Sequence, residues 1–217
     1  LYQDAEVAQA ELKKRLFNVA VDTGGSASVD IPEGLKDRQK AQTNIDKRCQ
    51  GDASQLTDIS RGSIVVDTLD EMKKAHQALV ASGGVLSFED RVSNPQSGSG
   101  YRDLQYCVEA SNGHVSEVQI HLRALWEAKQ DKGHEIYSEI SGMYDTDKAE
   151  GRDLTGPEKS ARNKLFKQSK KLYKGALAEA GIDLNDWDAP LPLFTGAEAN
   201  AAAEAAPAAL TLVANNG

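Results

Sequence analysis

A segment near the middle of the chain has the residue pattern of a β-hairpin. Two runs, at about 101–109 and 114–120, alternate polar and apolar residues, and Ser111-Asn112-Gly113 stands between them. Such a turn sequence between alternating runs is a strong local signal for two antiparallel strands. The hairpin therefore predicts an antiparallel pair within a larger sheet.

Glu117 is a carboxylate in the middle of the second of these strands. Because side chains alternate along a strand, it shares one face with Gln119, opposite Val118 and Ile120. Buried carboxylates are usually paired, neutralised or bound to a metal. A polar sheet face beside the Gly/Ser-rich loop 93–100 is thus a candidate ligand site. The alternative is an ordinary half-exposed sheet with its polar side toward water.

The remaining pattern predicts helices before, between and after further strands. Thr68 with Glu71 three residues later forms a capping box that starts one of these helices. The expected helices are 2–18, 35–48, 68–81, 122–150 and 158–180, and the other expected strands are 63–67 and 85–90. This order indicates an α/β fold with a mixed, mostly antiparallel sheet of four or five strands flanked by helices.

Composition is that of an ordinary globular protein, with 217 residues and a formal net charge of -8. We expect one domain over 1–187, with its core at about 35–140, and an Ala-rich tail or linker over 188–217. No run approaches the length of a membrane span. The net charge argues against coating nucleic acid by bulk electrostatics, and Leu1 suggests a fragment of a longer protein. Two widely spaced cysteines favour neither a disulfide scaffold nor a zinc site.

Acidic and basic side chains before the first predicted central strand complement Glu117. Magnesium is commonly held by one or two carboxylates together with phosphates and water, so Asp58 with Glu117 would make a metal pair if their strands are adjacent. A metal beside several cations is what a triphosphate requires. The cations of this region are Lys36, Arg38, Lys40, Lys47, Arg48 and Arg61. Neither GxxxxGK[ST] nor GxGxxG is present.

Together, five stretches in this order resemble the RelA/SpoT-like nucleotide pyrophosphokinase domain, which makes the alarmone (p)ppGpp. They are the basic helix 36–48, Asp58-Ile59-Ser60-Arg61, Gly100-Tyr101-Arg102-Asp103-Leu104, Glu117-Val118-Gln119-Ile120, and Arg123 through Trp126 to His134 and Tyr137. The resemblance covers roughly 35–140. It implies a sheet of the nucleotidyltransferase type and magnesium-dependent transfer of the β,γ-pyrophosphate of ATP to a ribose hydroxyl.

Site roles follow from the resemblance, position by position. Asp58 matches the magnesium carboxylate, and Glu117 matches the second carboxylate or the base that activates the acceptor hydroxyl, with Arg61 beside them. Tyr101 matches the aromatic residue that stacks on the acceptor base. The candidates for contacting nucleotide phosphates and acceptor are Lys36, Arg38, Lys40, Lys47 and Gln119. For Trp126, His134 and Tyr137 we expect helix packing rather than chemistry.

Two departures from the family pattern fall in the nucleotide pockets. The family has Asp-x-x-Gly-x-Arg after the metal carboxylate, where this chain has Arg61 and Ser63, and it has His where this chain has Gln105. The acceptor therefore stays open between GDP or GTP, an adenine nucleotide and the 3′ end of tRNA. A catalytically inactive nucleotide-binding module is the alternative from another class.

The sequence contains no His-Asp dipeptide, so the family's metal-dependent hydrolase half is not recognisable. A synthetase without a reversing activity would halt growth. We therefore expect a small alarmone synthetase or the toxic domain of a larger secreted effector, acting in the cytoplasm of its target cell and neutralised by an immunity or antitoxin protein. The seven cations between Lys159 and Lys174 are expected to form the solvated face of a helix. A nucleic-acid surface for tRNA is the other interpretation.

Overall fold

The structure is a computed structural model that describes residues 1–96 and 98–187, apart from the side chains of residues 48 and 145–150. The predicted tail, 188–217, lies outside the described residues, so the domain boundary stays a prediction. The helices are α1 (Tyr2–Thr23), α2 (Arg38–Arg48), α3 (Leu69–Ala81), α4 (Arg123–Ala128), α5 (His134–Glu150) and α6 (Gly156–Glu179). The strands are β1 (Ser28–Asp30), β2 (Arg61–Val66), β3 (Val85–Asp90), β4 (Leu104–Glu109) and β5 (Val115–Leu122).

These strands form one sheet in the order β1-β2-β5-β4-β3. The β2–β5 pair is parallel, and the other three pairs are antiparallel. The predicted mixed, mostly antiparallel sheet is thereby confirmed. The β4–β5 hairpin forms as expected, with Gly113 at φ 78° in its turn, a conformation that glycine adopts without strain.

One sheet face and helices α1 and α3 enclose the main core. Its inward side chains include Ile64, Val118 and Ile120, each fully buried. Helix α1 lies so close to β2 that a Cβ at Gly62 would meet Leu16 Cδ1 at 2.6 Å. The apolar half of the strand alternation therefore faces α1 and α3, which leaves the polar half on the opposite face.

Helix α3 begins as the sequence predicts. Thr68 accepts a hydrogen bond from the Glu71 backbone and the Glu71 side chain accepts one from the Thr68 backbone, so the capping box is present. Glu71 also accepts from the Ser26 hydroxyl at 2.9 Å, which ties the loop after α1 to this helix. None of the described helices is both long and apolar enough to cross a membrane. Cys49 and Cys107 are both buried, and neither forms a disulfide.

Between α4 and α5 the chain makes a π-helical turn, Lys129–Gly133. Gly133 is buried there, and a Cβ at this position would clash with the Tyr173 hydroxyl of α6. A π-helical turn is uncommon and is frequently found at functional sites. The close packing against α6 explains why a glycine stands at its end.

Candidate active site

Glu117 lies at the centre of the polar sheet face. Its strand, β5, is inserted between β2 and β4, and register places Glu117 beside Arg61 on one side and Cys107 on the other. Gln105 Nε2 donates to Glu117 Oε2 at 2.6 Å. Burial, and then the charge of Asp58, raise the pKa of Glu117 above its ordinary value. The carboxylate thus sits where its negative charge is disfavoured.

Asp58 stands three residues before β2 and contributes the second carboxylate. Lys36 Nζ donates to its Oδ2 atom, while Oδ1 is buried without a hydrogen-bond partner in the described part of the chain. The Glu117 backbone N–H donates to the Ser60 carbonyl at 3.1 Å, so Glu117 is held against the segment that carries Asp58. An unpartnered carboxylate oxygen beside a second carboxylate fits a hard divalent cation.

The donor set for such a cation is small. Within the described residues, no group of three or more His, Cys, Asp or Glu side chains could hold a metal ion. Asp58 and Glu117 would therefore have to share it with phosphate oxygens and water, which is the usual arrangement for Mg²⁺ at nucleotide sites.

Arg61 is fixed between the Asp58 backbone and strand β5. Its guanidinium donates to the Asp58 backbone carbonyl at 3.1 Å, and its own backbone is held by the Gln9 side chain through two hydrogen bonds of 2.9 Å. Half-buried at the start of β2, it lies beside Glu117 in the register. The structure thus brings together Asp58, Glu117 and Arg61, which the sequence separates by up to 59 positions.

The four predicted phosphate-binding cations differ in their surroundings. Lys36 reaches the site through Asp58. The Arg38 guanidinium lies 4.1 Å above the Tyr2 ring, Lys40 is exposed, and Lys47 is half-buried on α2. Lys36 contacts a site carboxylate, and the phosphate-binding roles of Arg38, Lys40 and Lys47 remain predictions.

Tyr101 requires a correction. Only 6% of its surface is exposed, its hydroxyl is hydrogen-bonded to His121 Nδ1 at 2.7 Å, and its ring centroid lies 5.1 Å from that of Tyr173. It precedes β4 instead of starting it. The prediction of an open stacking platform is wrong for this structure because the ring is enclosed by the core.

Arg91 and Asp103, to which sequence reasoning gave no role, form a buried ion pair beneath the site. Arg91 Nε and Nη2 donate to the two Asp103 oxygens at 2.6 and 2.9 Å, and Asp103 is fully buried. The criterion that singled out Glu117, a carboxylate among apolar neighbours, would also have selected Asp103. Its partner could not be found this way because Arg91 lies in a different loop.

Lys129 was also missed. It belongs to the π-helical turn and reaches back to the polar face, where Nζ lies 3.4 Å from Gln119 Oε1 and 4.9 Å from the Tyr101 ring centroid. Gln119 is paired in register with Ser63 and Gln105. The two departures from the family pattern therefore lie around Gln119 and Glu117, with Gln105 holding the Glu117 carboxylate.

Two of the three family-marking residues between 126 and 137 are more exposed than expected. Trp126 is half-buried, but His134 is exposed and Tyr137 is 45% exposed. The packing interpretation is wrong for the last two. On α6, all but one of the seven cations between Lys159 and Lys174 are exposed, and the buried residues of that helix are Ser169, Tyr173 and Leu177. The solvated-face interpretation is confirmed.

No protein-family model matches the chain, and the curated proteins contain no significant match. Solved structures do match. The type VI effector Tas1, solved in complex with its immunity protein, has a TM-score of 0.59 and 19% identity over 82% of this chain and 94% of that chain. The small alarmone synthetase 1 from Bacillus subtilis, bound to its product pppGpp, has a TM-score of 0.52 and 14% identity over 82% of this chain and 88% of that chain.

At such identities the likeness establishes a common fold. The resemblance to RelA/SpoT-like synthetase domains is therefore confirmed at the level of the fold.

Proposed function

We propose that this protein transfers the β,γ-pyrophosphate of ATP to a ribose hydroxyl of a nucleotide acceptor, with Mg²⁺. The observation that carries the proposal is the placement of Arg61 beside Glu117 on one sheet face, next to the segment that carries Asp58, in a chain with the fold of a synthetase solved with pppGpp. Two interacting carboxylates with adjacent cations suit a reaction in which the enzyme mainly positions phosphates and balances their charge.

Glu117 is the proposed proton acceptor. Its raised pKa makes it a better base than an exposed carboxylate, and the hydrogen bond from Gln105 fixes its orientation. The acceptor hydroxyl oxygen attacks the β-phosphorus of ATP and its proton passes to Glu117. The bond from the β-phosphorus to the α,β-bridging oxygen breaks, and AMP leaves.

Asp58 is the proposed metal carboxylate, with its unpartnered Oδ1 as a ligand atom. Glu117 would be the second metal ligand as the alternative to its role as the base. When bound, Mg²⁺ would neutralise charge on the transferred phosphates. Arg61 and Lys36 are the proposed donor-phosphate cations because both already contact Asp58. Arg38, Lys40 and Lys47 are proposed as further contacts from α2.

The acceptor is proposed to be GDP, GTP or an adenine nucleotide, which would make the product (p)ppGpp or a (p)ppApp-like alarmone. Because one structural neighbour is an effector solved with its immunity protein, we further propose a growth-inhibiting role in the cytoplasm of a target cell, with delivery as part of a larger effector and neutralisation by an immunity partner. Transfer to the 3′ end of tRNA is the second candidate, favoured if the cations of α6 align with the active cleft.

The test is incubation of the protein with labelled ATP, Mg²⁺ and, in turn, GDP, GTP, AMP, ADP or bulk tRNA. Label is expected on a nucleotide, and Asp58→Asn should abolish transfer. Asp22→Asn changes an exposed carboxylate at the end of α1 and should leave the activity unchanged. Label on tRNA alone would favour the second candidate. Label on none, with folded protein, would leave an inactive nucleotide-binding module.

A further inference from the structure

The Lys129 ammonium occupies an unusual environment for a lysine. Its side chain is half-buried against the polar sheet face, in contact with Gln119 Oε1 at 3.4 Å and above the Tyr101 ring at 4.9 Å. The first contact is a long hydrogen bond to a neutral amide, and the second is a cation–π contact. Neither supplies a compensating negative charge.

Two other cations of this region are each bonded to a carboxylate. Lys36 is bonded to Asp58, and Arg91 is bonded to Asp103. For Lys129, no carboxylate lies within 4.0 Å of Nζ among the residues that the structure describes. Burial lowers the pKa of Lys129, although Asp103 and Glu117 act in the opposite direction. An ammonium withdrawn from water without an anionic partner is costly to the protein alone, which suggests that a ligand supplies the partner.

The position of this ammonium is fixed by the fold. Lys129 opens the π-helical turn, and the turn closes at Gly133, which is packed too tightly against the Tyr173 hydroxyl to accept a side chain. The Tyr173 ring in turn packs at a tilt of 59° on the Tyr101 ring, with 5.1 Å between their centroids. The turn that carries Lys129 is thus braced from α6, so that the ammonium is directed at the sheet and not into solvent.

Two cations that form no ion pair with a carboxylate among the described residues flank Glu117 along the sheet. Arg61, which donates only to a backbone carbonyl in the described structure, lies next to Glu117 in the register, on the Asp58 side. Lys129 lies beyond Gln119, two residues further along β5. If the donor phosphates occupy the Asp58 and Arg61 side, the acceptor must approach the proton-accepting carboxylate from the Lys129 side.

We propose that Lys129 binds a phosphate group of the acceptor and so restricts the acceptor to phosphorylated nucleosides. This inference rests on the proposed function. Phosphate is the anionic group that such an acceptor carries, and an ammonium in a partly desolvated site binds it through charge-assisted hydrogen bonds. Lys129 is accordingly a specificity-determining residue, while Glu117 handles the proton.

A purely structural role for Lys129 makes a different prediction. If the side chain only packs on Tyr101, its replacement alters stability but affects phosphorylated and unphosphorylated acceptors alike. The ratio of their affinities therefore separates the two roles.

The experiment measures dissociation constants by calorimetry, with Mg²⁺ and a non-hydrolysable ATP analogue, for GDP and guanosine and for ADP and adenosine. Lys129→Met removes the charge at similar length, Lys129→Arg keeps it, and Lys132→Met removes an exposed lysine from the same turn. Lys129→Met should weaken binding of the diphosphates about tenfold or more and leave the nucleosides unchanged. Lys129→Arg should restore most of the loss, and Lys132→Met should resemble wild type.

If Lys129→Met weakened the binding of diphosphates and nucleosides equally, or weakened neither, the proposed role of Lys129 would be wrong. Transfer of label from ATP by the wild-type protein would still support the proposed function in that case. Wild-type protein that transfers no label and binds none of the four compounds would overturn both. Circular dichroism of each variant confirms that the fold is intact before affinities are compared.

Discussion

At the level of single residues, the Glu117 carboxylate on the polar sheet face suits proton transfer but does not stabilise the fold. Glu117 accepts one hydrogen bond from Gln105, yet burial and Asp58 keep its pKa raised. A raised pKa means that the charged form is less favourable in the folded protein than in the unfolded chain. Such a carboxylate destabilises the native state at neutral pH, a common cost of an active site.

Glu117→Gln should therefore stabilise the protein while abolishing transfer. The amide oxygen of Gln retains the bond from Gln105, and the unfavourable negative charge is gone. We expect a gain of about 0.5–2 kcal/mol in unfolding free energy and a loss of about 10²–10⁴-fold in transfer rate. Urea denaturation and labelled-ATP assays measure the two quantities.

Glu109→Gln is the matched control, since Glu109 is exposed at the end of β4. It should change neither stability nor rate. Full activity in Glu117→Gln would remove Glu117 from the mechanism.

The Arg91–Asp103 ion pair differs from the Glu117 carboxylate. Loss of either charge would leave the other one buried without its partner. Asp103→Asn leaves the largely buried Arg91 guanidinium without its carboxylate, which should cost about 3–5 kcal/mol. Adding Arg91→Met should recover much of that loss because no unpaired charge remains. A double-mutant cycle in urea measures the coupling, and additive losses would contradict it.

At the level of secondary-structure elements, the sequence was most informative where local chemistry determines the outcome. The β4–β5 hairpin and the Thr68–Glu71 capping box follow from period-two alternation, a turn tripeptide and a cap spacing, all of which act within a few residues. The π-helical turn and the enclosure of Tyr101 depend on α6, which lies dozens of residues away. No local pattern encodes such packing, so Lys129 and the burial of Tyr101 could not be predicted.

The π-helical turn is testable through its glycine. Gly133→Ala should strain the turn because the new methyl group meets the Tyr173 hydroxyl, and overpacking of this kind typically costs about 1–3 kcal/mol. Tyr173→Phe removes that oxygen, so the double variant should be more stable than Gly133→Ala alone. Thermal unfolding of the four proteins measures the rescue.

Gly142→Ala serves as the control, because a Cβ there has open space. It should be neutral or slightly stabilising. Absence of rescue by Tyr173→Phe would show that the turn is limited by its own backbone instead of by α6.

At the level of the whole molecule, buried histidines set the response to acid. Burial lowers the pKa of His76, His114 and His121 below the ordinary value of 6.5. Below pH 6.5 the unfolded chain binds protons at these positions before the folded protein does. This contribution to stability should therefore be fully present above pH 6.5 and decline as the pH falls, by at most about 1.4 kcal/mol per pH unit for each histidine.

His121→Gln removes the contribution of one histidine to the pH dependence of stability. The Gln side chain can still pair with the Tyr101 hydroxyl. Glu117 and Asp103, whose pKa values burial raises, titrate in the opposite sense, so the difference between wild type and variant is the informative quantity. Urea denaturation between pH 5 and pH 7.5 should give a shallower profile for His121→Gln. An unchanged profile would contradict the assignment, and the exposed His134→Gln supplies the control.

The central position of β5 also bears on when the protein gains activity during folding. Before β5 inserts, the strands can form only two separate pairs, β1 with β2 and β3 with β4. Asp58 and Arg61 belong to one half and Gln105 to the other, and Glu117 arrives with the strand that joins them. Pairing of β5 with both β2 and β4 joins residues that are distant in sequence, and such non-local pairing is slow in folding. The proposed transfer activity should thus appear in a refolding experiment only with the final cooperative phase, after β5 has joined the two strand pairs.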